Sequence, residues 1–213
     1  REKERELYNA KISFFTNIAH EIRTPLTLIK GPLENILARP TVDRGMAEDL
    51  IVMDRNTNRL LDLTNQLLDF QKIEKEHLSL NLARHNVSDI VEETFYRFSS
   101  SAKQQHKTFE LELGSGEACA QIDKEAFTKI LSNLLNNALK YSETLIRVCL
   151  TVQDTTFRIT VTNDGEVVPP EMREAIFAPF FRHTRKSEST GTGIGLALAR
   201  SLAELHHGTL VMG

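Results

Sequence analysis

A histidine and an acid lie side by side in the stretch FFTNIAHEIRTPLTLIKG, residues 14–31, which otherwise has the character of one long helix. Glu21 can accept a hydrogen bond from one imidazole nitrogen of His20, which leaves the other nitrogen unprotonated and nucleophilic. Thr24, one turn further on, can orient a water molecule or a phosphoryl oxygen over that nitrogen. Pro25 has no amide hydrogen and can bend the helix locally. These side chains are suited to accepting a phosphoryl group, and a solvated surface histidine is the alternative.

A second polar set lies in NLLNNALKYS, where Asn133, Asn137, Lys140 and Tyr141 follow one another along a predicted helix. Asparagine is unfavourable inside a helix because its amide competes with the backbone for hydrogen bonds. The oxygen of such an amide can be the single protein ligand of a Mg²⁺ ion that keeps its waters and bridges phosphates. The alternative is that these asparagines only cap or solvate the helix.

Two glycine-containing segments follow. In NDGEVVPPE, Gly165 allows the backbone to approach a flat ligand such as a base, although Asn-Asp-Gly is also common turn chemistry. In STGTGIGLAL, Gly191, Gly193 and Gly195 precede an apolar helix, whose free N–H groups and dipole favour phosphates. The segment lacks the Gly-Lys-Thr of a Walker pattern, and no strand directly precedes it. Between the two segments, IFAPFFRHTRKSES is expected to form a mobile loop in which Arg182 can meet phosphate.

The elements that must position these side chains follow two patterns, of which the first is helical. Apolar residues recur in steps of four and three from Tyr8 to Ile36, which is a heptad seam. The segment ARPTVDRG breaks this seam at Pro40, and a second seam runs from Leu50 to Gln71. Two long antiparallel helices would leave apolar flanks uncovered. Two such hairpins can bury them in a four-helix bundle, so a homodimer is expected.

The second pattern starts near residue 78, where strand-like runs alternate with helices. One helix is expected to begin near Asn86 or Ser88, one after Asp123, and a last one at GIGLALARSLAELHH. A hairpin is expected about Asp154. Helices against a mostly antiparallel sheet make an α+β sandwich. The predicted strands are LSLNLA, KTFELEL, TLIRVCLTVQ, TFRITVTND and GTLVM.

Composition limits the classes of function. The chain has 213 residues, enough for one large domain or two small ones, and a net charge of −3. This mildly acidic balance gives no reason to expect a nucleic-acid surface. Cys119 and Cys149 match no metal-ligand spacing and are expected to be buried and reduced, as in a cytosolic protein. No stretch approaches the roughly 20 apolar residues of a membrane span.

Five segments together resemble the sensor histidine kinases of two-component systems over essentially the whole chain. The stretch around His20 resembles the family's H-box, NLLNNALKY its N-box, NDGEVVPPE its first glycine box, IFAPFF its F-box and GTGIGLAL its second glycine box. All five occur in the family's order and approximate spacing. The resemblance implies an α+β fold, with a dimerisation and phosphotransfer helical hairpin over residues 1–77. Residues 78–213 would form an ATP-binding sandwich domain of the gyrase and heat-shock-ninety type, expected to lack its last strands.

The resemblance also implies roles. His20 would be phosphorylated from Mg-ATP and pass its phosphoryl group to an aspartate of a response-regulator receiver domain. Glu21 would be the base, Thr24 would assist a phosphatase step, and Asn137 would hold Mg²⁺. Similarity to hybrid sensor kinases implies that the chain is the cytoplasmic portion of a longer inner-membrane receptor, itself without membrane contact. The implied nucleotide contacts are Asn133, Asn137, Lys140, Tyr141, Asn163, Asp164, Gly165, Arg182, Gly191, Thr192, Gly193, Gly195 and Leu196.

The first glycine box departs from the family pattern Asp-x-Gly-x-Gly, because its key positions hold Asn163, Gly165 and Val167. An asparagine oxygen can still accept a hydrogen bond from the adenine amino group, but without charge. Asp164 is either a substitute for the missing carboxylate or a turn residue. These departures favour one alternative from another class, a non-catalytic dimerisation and interaction module with a degenerate nucleotide pocket.

Overall fold

The structure is a computed structural model that describes residues 18, 21–22, 24–32, 35–36, 48–57, 60, 66, 79–114, 118–153, 155–179, 181 and 193–213. Its contacts divide the chain into two compact units. The described residues up to 66 belong to the first unit, and those from 79 onwards belong to the second. The domain boundary at residue 77 lies outside the described residues and stays a prediction.

In the first unit, every described residue from 18 to 66 is helical, as the heptad seams predict. Pro25 lies inside the helical run 24–32, and its side chain is fully buried. The chain therefore stays helical immediately after the proline, and the ring is packed rather than exposed. The break at Pro40 falls outside the described residues. Among the described residues, no helix is long and apolar enough to cross a membrane.

The described residues of the second unit form three helices and five strands. The helices are α1 (Val87–Gln104), α2 (Lys124–Tyr141) and α3 (Gly195–Leu205). The strands are β1 (Ala83–Asn86), β2 (Thr108–Leu113), β3 (Cys119–Ile122), β4 (Leu145–Gln153) and β5 (Thr156–Asn163). Two short 3-10 turns, Pro170–Met172 and Ala175–Phe177, lie between β5 and α3. The predicted α+β class is confirmed.

The strands form two sheets. One sheet has three strands in the order β2-β4-β5, and the other pairs β1 with β3 in antiparallel fashion. Strands β4 and β5 are antiparallel with Gln153 opposite Thr156, so the predicted hairpin is confirmed. Strand β2 runs parallel to β4, with Thr108 opposite Leu145. The larger sheet is therefore mixed rather than mostly antiparallel, because the connection from β2 to β4 passes through β3 and α2 and returns in the same direction.

Two predicted strands are wrong. LSLNLA alternates like a strand, but residues 79–82 have no regular structure, and the strand at this point is β1. Its partner β3 was not predicted, because CAQI has little strand character and extends only by pairing with β1. Residues 208–213, which include the predicted strand GTLVM, form no strand. Pairing with a neighbour, rather than alternation alone, decides these segments.

The helix starts are where the capping residues predict them. The side chain of Asn86 accepts a hydrogen bond from the amide of Ser88, at 3.1 Å, and begins α1. The side chain of Asp123 accepts one from the amide of Ala126, at 3.0 Å, and begins α2. The other carboxylate oxygen of Asp123 accepts from the amide of Asn81, at 2.9 Å. Asp123 thus holds both the start of α2 and the chain just before β1.

The core of the second unit lies between the helices and the larger sheet. Helix α2 packs against α1, α3 and β5, and α1 packs against β2. Alternate residues of β4, namely Ile146, Val148 and Leu150, are buried. The expected burial of both cysteines is wrong, since Cys119 on the short strand β3 is exposed and Cys149 is half-buried. Both thiols are free.

Candidate functional site

Helix α2 carries the polar residues of the N-box on one side and a buried apolar stripe on the other. Leu131 and Leu135 are buried within the unit. Asn133 and Asn137 are half-buried, and the last turn, with Lys140 and Tyr141, is exposed. The polar residues of the N-box and the buried leucines therefore lie on different sides of this helix.

Asn133 brings the N-box against the second glycine box. Its Nδ2 donates to the carbonyl of Lys129 at 3.0 Å, which orients the amide. Its Oδ1 lies 2.9 Å from the point where a Cβ on Gly195 would be, so a side chain at the first residue of α3 would have to displace the amide of Asn133. Gly193, just before α3, has a φ of 69°, a left-handed conformation that favours glycine. The polar side of α2 therefore lies beside the N-terminus of α3, where free N–H groups favour an anion.

Asn137 lies one turn after Asn133 and is half-buried. Its side-chain amide has no hydrogen-bond partner among the described residues. The same part of the chain holds no group of three His, Cys, Asp or Glu residues that could bind a metal by themselves. The side-chain oxygen of Asn137 is a donor of the kind that a Mg²⁺ ion accepts, so this residue fits the predicted role.

Lys140 and Tyr141 present a cation and an aromatic ring to solvent at the end of α2. The Lys140 Nζ lies 4.9 Å from the centroid of the Tyr141 ring, and the tyrosine is 52% exposed. This distance is in the range of a cation–π contact, which is weak at an exposed position. Both groups are accessible to a ligand.

The first glycine box contacts the end of the same helix. A Cβ on Gly165 would lie 1.8 Å from the carbonyl oxygen of Tyr141, so a side chain cannot fit. The same Cβ would lie 2.9 Å from Nδ2 of Asn163. The close approach that requires glycine here is an approach to α2. A contact between Gly165 and a base stays a prediction.

Asp164 directs its carboxylate to the turn that follows α2. One oxygen accepts from the amides of Glu143 and Thr144, at 2.9 and 3.0 Å. The other accepts from the amide and the hydroxyl of Thr144, at 2.9 and 2.6 Å. The hydroxyl of Thr144, with the neighbouring backbone amides, holds the pKa of Asp164 well below its ordinary value. Of the two roles that the sequence leaves open for Asp164, this geometry supports the turn residue.

Asn163, the last residue of β5, keeps its side chain available. It is exposed, and its side-chain amide forms no hydrogen bond with the described residues. Val167, which replaces the second glycine of the box, is 77% exposed. The altered box therefore leaves an amide and an apolar side chain open to solvent.

The F-box anchors its segment to α3. Phe177 is buried, and the guanidinium carbon of Arg200 lies 4.9 Å from the centroid of its ring. The same guanidinium donates to Glu174 at 2.8 Å. Sequence reasoning missed Arg200, although an arginine inside the apolar run GLALARSLAEL is a signal that it has a partner.

The remaining predicted residues divide by location. Glu21 is half-buried and Thr24 is exposed, both on helical residues of the first unit. Leu196 is half-buried in the first turn of α3. His20, Arg182, Gly191 and Thr192 lie outside the described residues.

Two family models match the chain. Residues 10–76 match the His Kinase A (phospho-acceptor) domain, and residues 122–212 match the histidine kinase-, DNA gyrase B- and HSP90-like ATPases. Together with the site on α2 and α3, the second match defines an ATP-binding domain of this ATPase class. The pair of domains, in this order, places the chain among the sensor histidine kinases, and the chain belongs to that family.

Similar proteins are sensor kinases of greater length. Histidine kinase P4 of Formosa agariphila is 33% identical over 217 residues, which cover 99% of this chain and 16% of the relative. Sensor histidine kinase TmoS of Ectopseudomonas mendocina is 36% identical over 216 residues, which cover 98% of this chain and 22% of the relative. The chain thus spans less than a quarter of either relative.

Solved structures share the fold. Histidine kinase ThkA in complex with the response regulator protein TrrA has a TM-score of 0.69 and 24% identity, with 99% of this chain and 60% of that chain covered. The catalytic domain of ThkA alone has a TM-score of 0.52 and 26% identity, with 59% of this chain and 81% of that chain covered.

Proposed function

We propose that this chain is the core of a protein-histidine kinase. It transfers the γ-phosphoryl group of ATP to His20 and then to an aspartate of a response-regulator receiver domain. The observation that carries the proposal is the approach of Asn133 to Gly195. One turn further on lies the amide of Asn137, which has no hydrogen-bond partner among the residues that the structure describes. This juxtaposition brings a ligand for Mg²⁺ beside a helix N-terminus suited to phosphates.

The residues of the second unit bind and orient the nucleotide. Bound ATP supplies the phosphoryl group. Asn137 would hold Mg²⁺, and the N–H groups at the start of α3 would hold phosphate oxygens, with Gly191, Thr192, Gly193 and Leu196 in the same box. Lys140 and Tyr141 would face the nucleotide. The Asn163 oxygen would accept a hydrogen bond from the adenine amino group. Arg182 would add positive charge near the phosphates, and Asp164 would hold the loop rather than the base.

His20 forms the covalent intermediate. Its nucleophilic nitrogen forms the N–P bond while the bond from the γ-phosphorus to the bridging oxygen breaks, so ADP leaves. Glu21 accepts the proton of the other imidazole nitrogen. In the second step the N–P bond breaks, and a P–O bond forms to the carboxylate of the regulator. Thr24 would orient a water molecule when the enzyme acts as a phosphatase on its regulator.

The partners follow from the helical hairpin. Residues 1–77 would dimerise and present His20 to the receiver domain, and residues 78–213 would supply the nucleotide. The relatives are several times longer, which supports a place for this chain as the cytoplasmic part of a larger membrane-anchored sensor.

Labelling with radioactive ATP and Mg²⁺ tests the proposal. The chain should acquire label that is stable in base and lost in acid, as phosphohistidine is. His20→Gln should abolish this label and leave ATP binding intact, while His77→Gln should keep both. Label that persists in His20→Gln would move the phosphorylation to another residue. A wild-type chain that binds no ATP would instead favour the interaction module with a degenerate pocket.

A further inference from the structure

We propose that Lys107 is a positioning residue of the nucleotide site. This inference rests on the proposed function. Its ammonium group holds the last turn of α2, the turn that carries Lys140 and Tyr141. Lys107 lies between α1 and β2, outside all five sequence boxes. It acts through the helix and is not itself placed against the nucleotide.

The contacts of Lys107 lie on either side of the two exposed residues. Its Nζ donates to the carbonyl oxygen of Leu139 and to that of Ser142, the latter at 2.8 Å. Leu139 directly precedes Lys140, and Ser142 directly follows Tyr141. One ammonium group therefore connects the backbone before the pair to the backbone after it.

The chemistry of a helix C-terminus explains why a cation suits this place. The last four carbonyls of a helix have no donor within the helix, and the dipole makes this end partly negative. A lysine that donates to them satisfies the carbonyls and the dipole together. Lys107 is half-buried and forms an ion pair with no carboxylate among the described residues. Its charge is therefore directed to α2 rather than shared with an acid, and charge-assisted hydrogen bonds are stronger than neutral ones.

The backbone around Lys107 is fixed, so its ammonium group is held in place. The amide of Lys107 donates to the carbonyl of Ala102, which is fully buried, at 3.0 Å. The next amide, that of Thr108, donates to the carbonyl of Thr144 at 2.6 Å. This second bond joins the start of β2 to the turn after α2. Backbone hydrogen bonds therefore also hold Lys107 close to the end of α2.

Asp164 and Gly165 hold the same turn through different atoms. Lys107 donates hydrogen bonds to carbonyl oxygens, whereas Asp164 accepts hydrogen bonds from the amides of Glu143 and Thr144. Gly165 packs against the carbonyl of Tyr141. The turn is thus fixed by two separate segments of the chain. Removal of the lysine should loosen the position of Lys140 and Tyr141 while Asp164 keeps the turn folded.

Three variants and a matched control test the role of Lys107 in the 213-residue chain. Lys107→Met removes the charge at nearly constant length, and Lys107→Arg restores donors. Lys103→Met removes an exposed lysine in the last turn of α1. Ile90→Val removes one methylene from a buried side chain of α1 and reports on general destabilisation. ATP-Mg affinity is measured by calorimetry well below the unfolding temperature, and amide hydrogen exchange is measured on the ligand-free protein.

Lys107→Met should weaken ATP-Mg binding by about tenfold, since a small displacement of positioning groups has effects of this size or larger. It should also speed exchange of the amides of residues 140–142 in the absence of ligand, while the amides of Glu143 and Thr144, which donate to Asp164, should stay protected. Lys107→Arg should recover most of both properties, and Lys103→Met should equal wild type. Ile90→Val should lower the unfolding temperature without a change in affinity.

The failure of the inference differs from the failure of the proposed function. A wild-type chain that does not bind ATP would overturn the proposed function. If the wild-type chain binds ATP-Mg and Lys107→Met binds it equally well, only the role of Lys107 is overturned. An equal loss of affinity in Ile90→Val would also overturn it, because the effect would then be general. If Lys107→Met does not fold, Lys107→Gln is measured in the same way and must show the loss of affinity.

Discussion

At the scale of single residues, Asp164 shows how a carboxylate in a predicted binding loop can hold a turn of the chain. Its two oxygens accept four hydrogen bonds, all from protein groups of Glu143 and Thr144. The neighbouring Gly165 then allows the chain to pass against Tyr141. The two residues hold the end of α2, and the proposed contact with the base falls to Asn163.

The low pKa of Asp164 leads to a prediction for acid stability. The folded-state pKa lies below the unfolded value of about 3.9, so the carboxylate stabilises the fold above that value. This contribution is lost as the pH falls from about 4 towards the folded-state pKa. Asp164→Asn should therefore lower the unfolding temperature at pH 7, and the difference from wild type should shrink below pH 4.

Thermal unfolding from pH 3 to pH 7 measures this effect. Glu112→Gln, a change at an exposed carboxylate on β2, is the control and should follow wild type throughout. A difference between Asp164→Asn and wild type that stays constant over the whole pH range would contradict the role of the carboxylate charge.

At the scale of elements, α2 is held at both ends by side chains from outside the helix. At its start, Asp123 caps the helix and binds the amide of Asn81. Burial opposes ionisation of this carboxyl group, but its hydrogen bonds from backbone amides lower the pKa of Asp123 overall. The amide of Asp123 also donates to Nε2 of His206, just after α3, at 3.1 Å. The cap thus joins α2 to the chain before β1 and to the end of α3.

Removal of this cap should cost stability. Asp123→Ala should lower the free energy of unfolding by about 0.5–2 kcal/mol, the usual range for a lost N-cap. Asp123→Asn keeps an acceptor for the amide of Ala126 and should lose much less. Urea unfolding followed by circular dichroism compares the two. Equal losses in both variants would show that the charge, rather than the cap, is what the helix needs.

At the scale of the whole molecule, the helical unit leaves apolar surface that a single chain does not cover. Leu26 and Leu50, both on the predicted seams, are 50% and 49% exposed, and Ile51 is 60% exposed. Side chains of this size at heptad positions are typical of a helix that packs against another. They support the proposed pairing of two hairpins in a homodimer.

Light scattering at micromolar concentration should therefore give the mass of a dimer. Leu60→Asp should shift the chain towards monomer, because an unpaired carboxylate buried in the bundle is costly. Asn35→Asp adds the same charge at an exposed helical position and should leave the dimer intact. A wild-type monomer would rule out the four-helix bundle, and a Leu60→Asp dimer would place that residue outside the interface.

Local features of the second unit were predictable because their causes are local. Asn86 and Asp123 begin helices through bonds to residues two and three positions later. The hairpin of β4 and β5 joins strands that are adjacent in sequence. Strands β1 and β3 were misplaced or missed because each is extended only through the other, and about thirty residues separate them.

The sequence by itself determined the class of protein and the polar face of α2 and proposed His20 as the acceptor, because each depends on residue types at short, regular spacings. Only the tertiary structure decided what the other groups contact. Asp164 meets Thr144 across 20 positions, and Lys107 meets Ser142 across 35. No periodic pattern records such pairs, since their spacing depends on how β2, β4 and β5 are ordered in the sheet. The sheet therefore decides which side chains hold the end of α2.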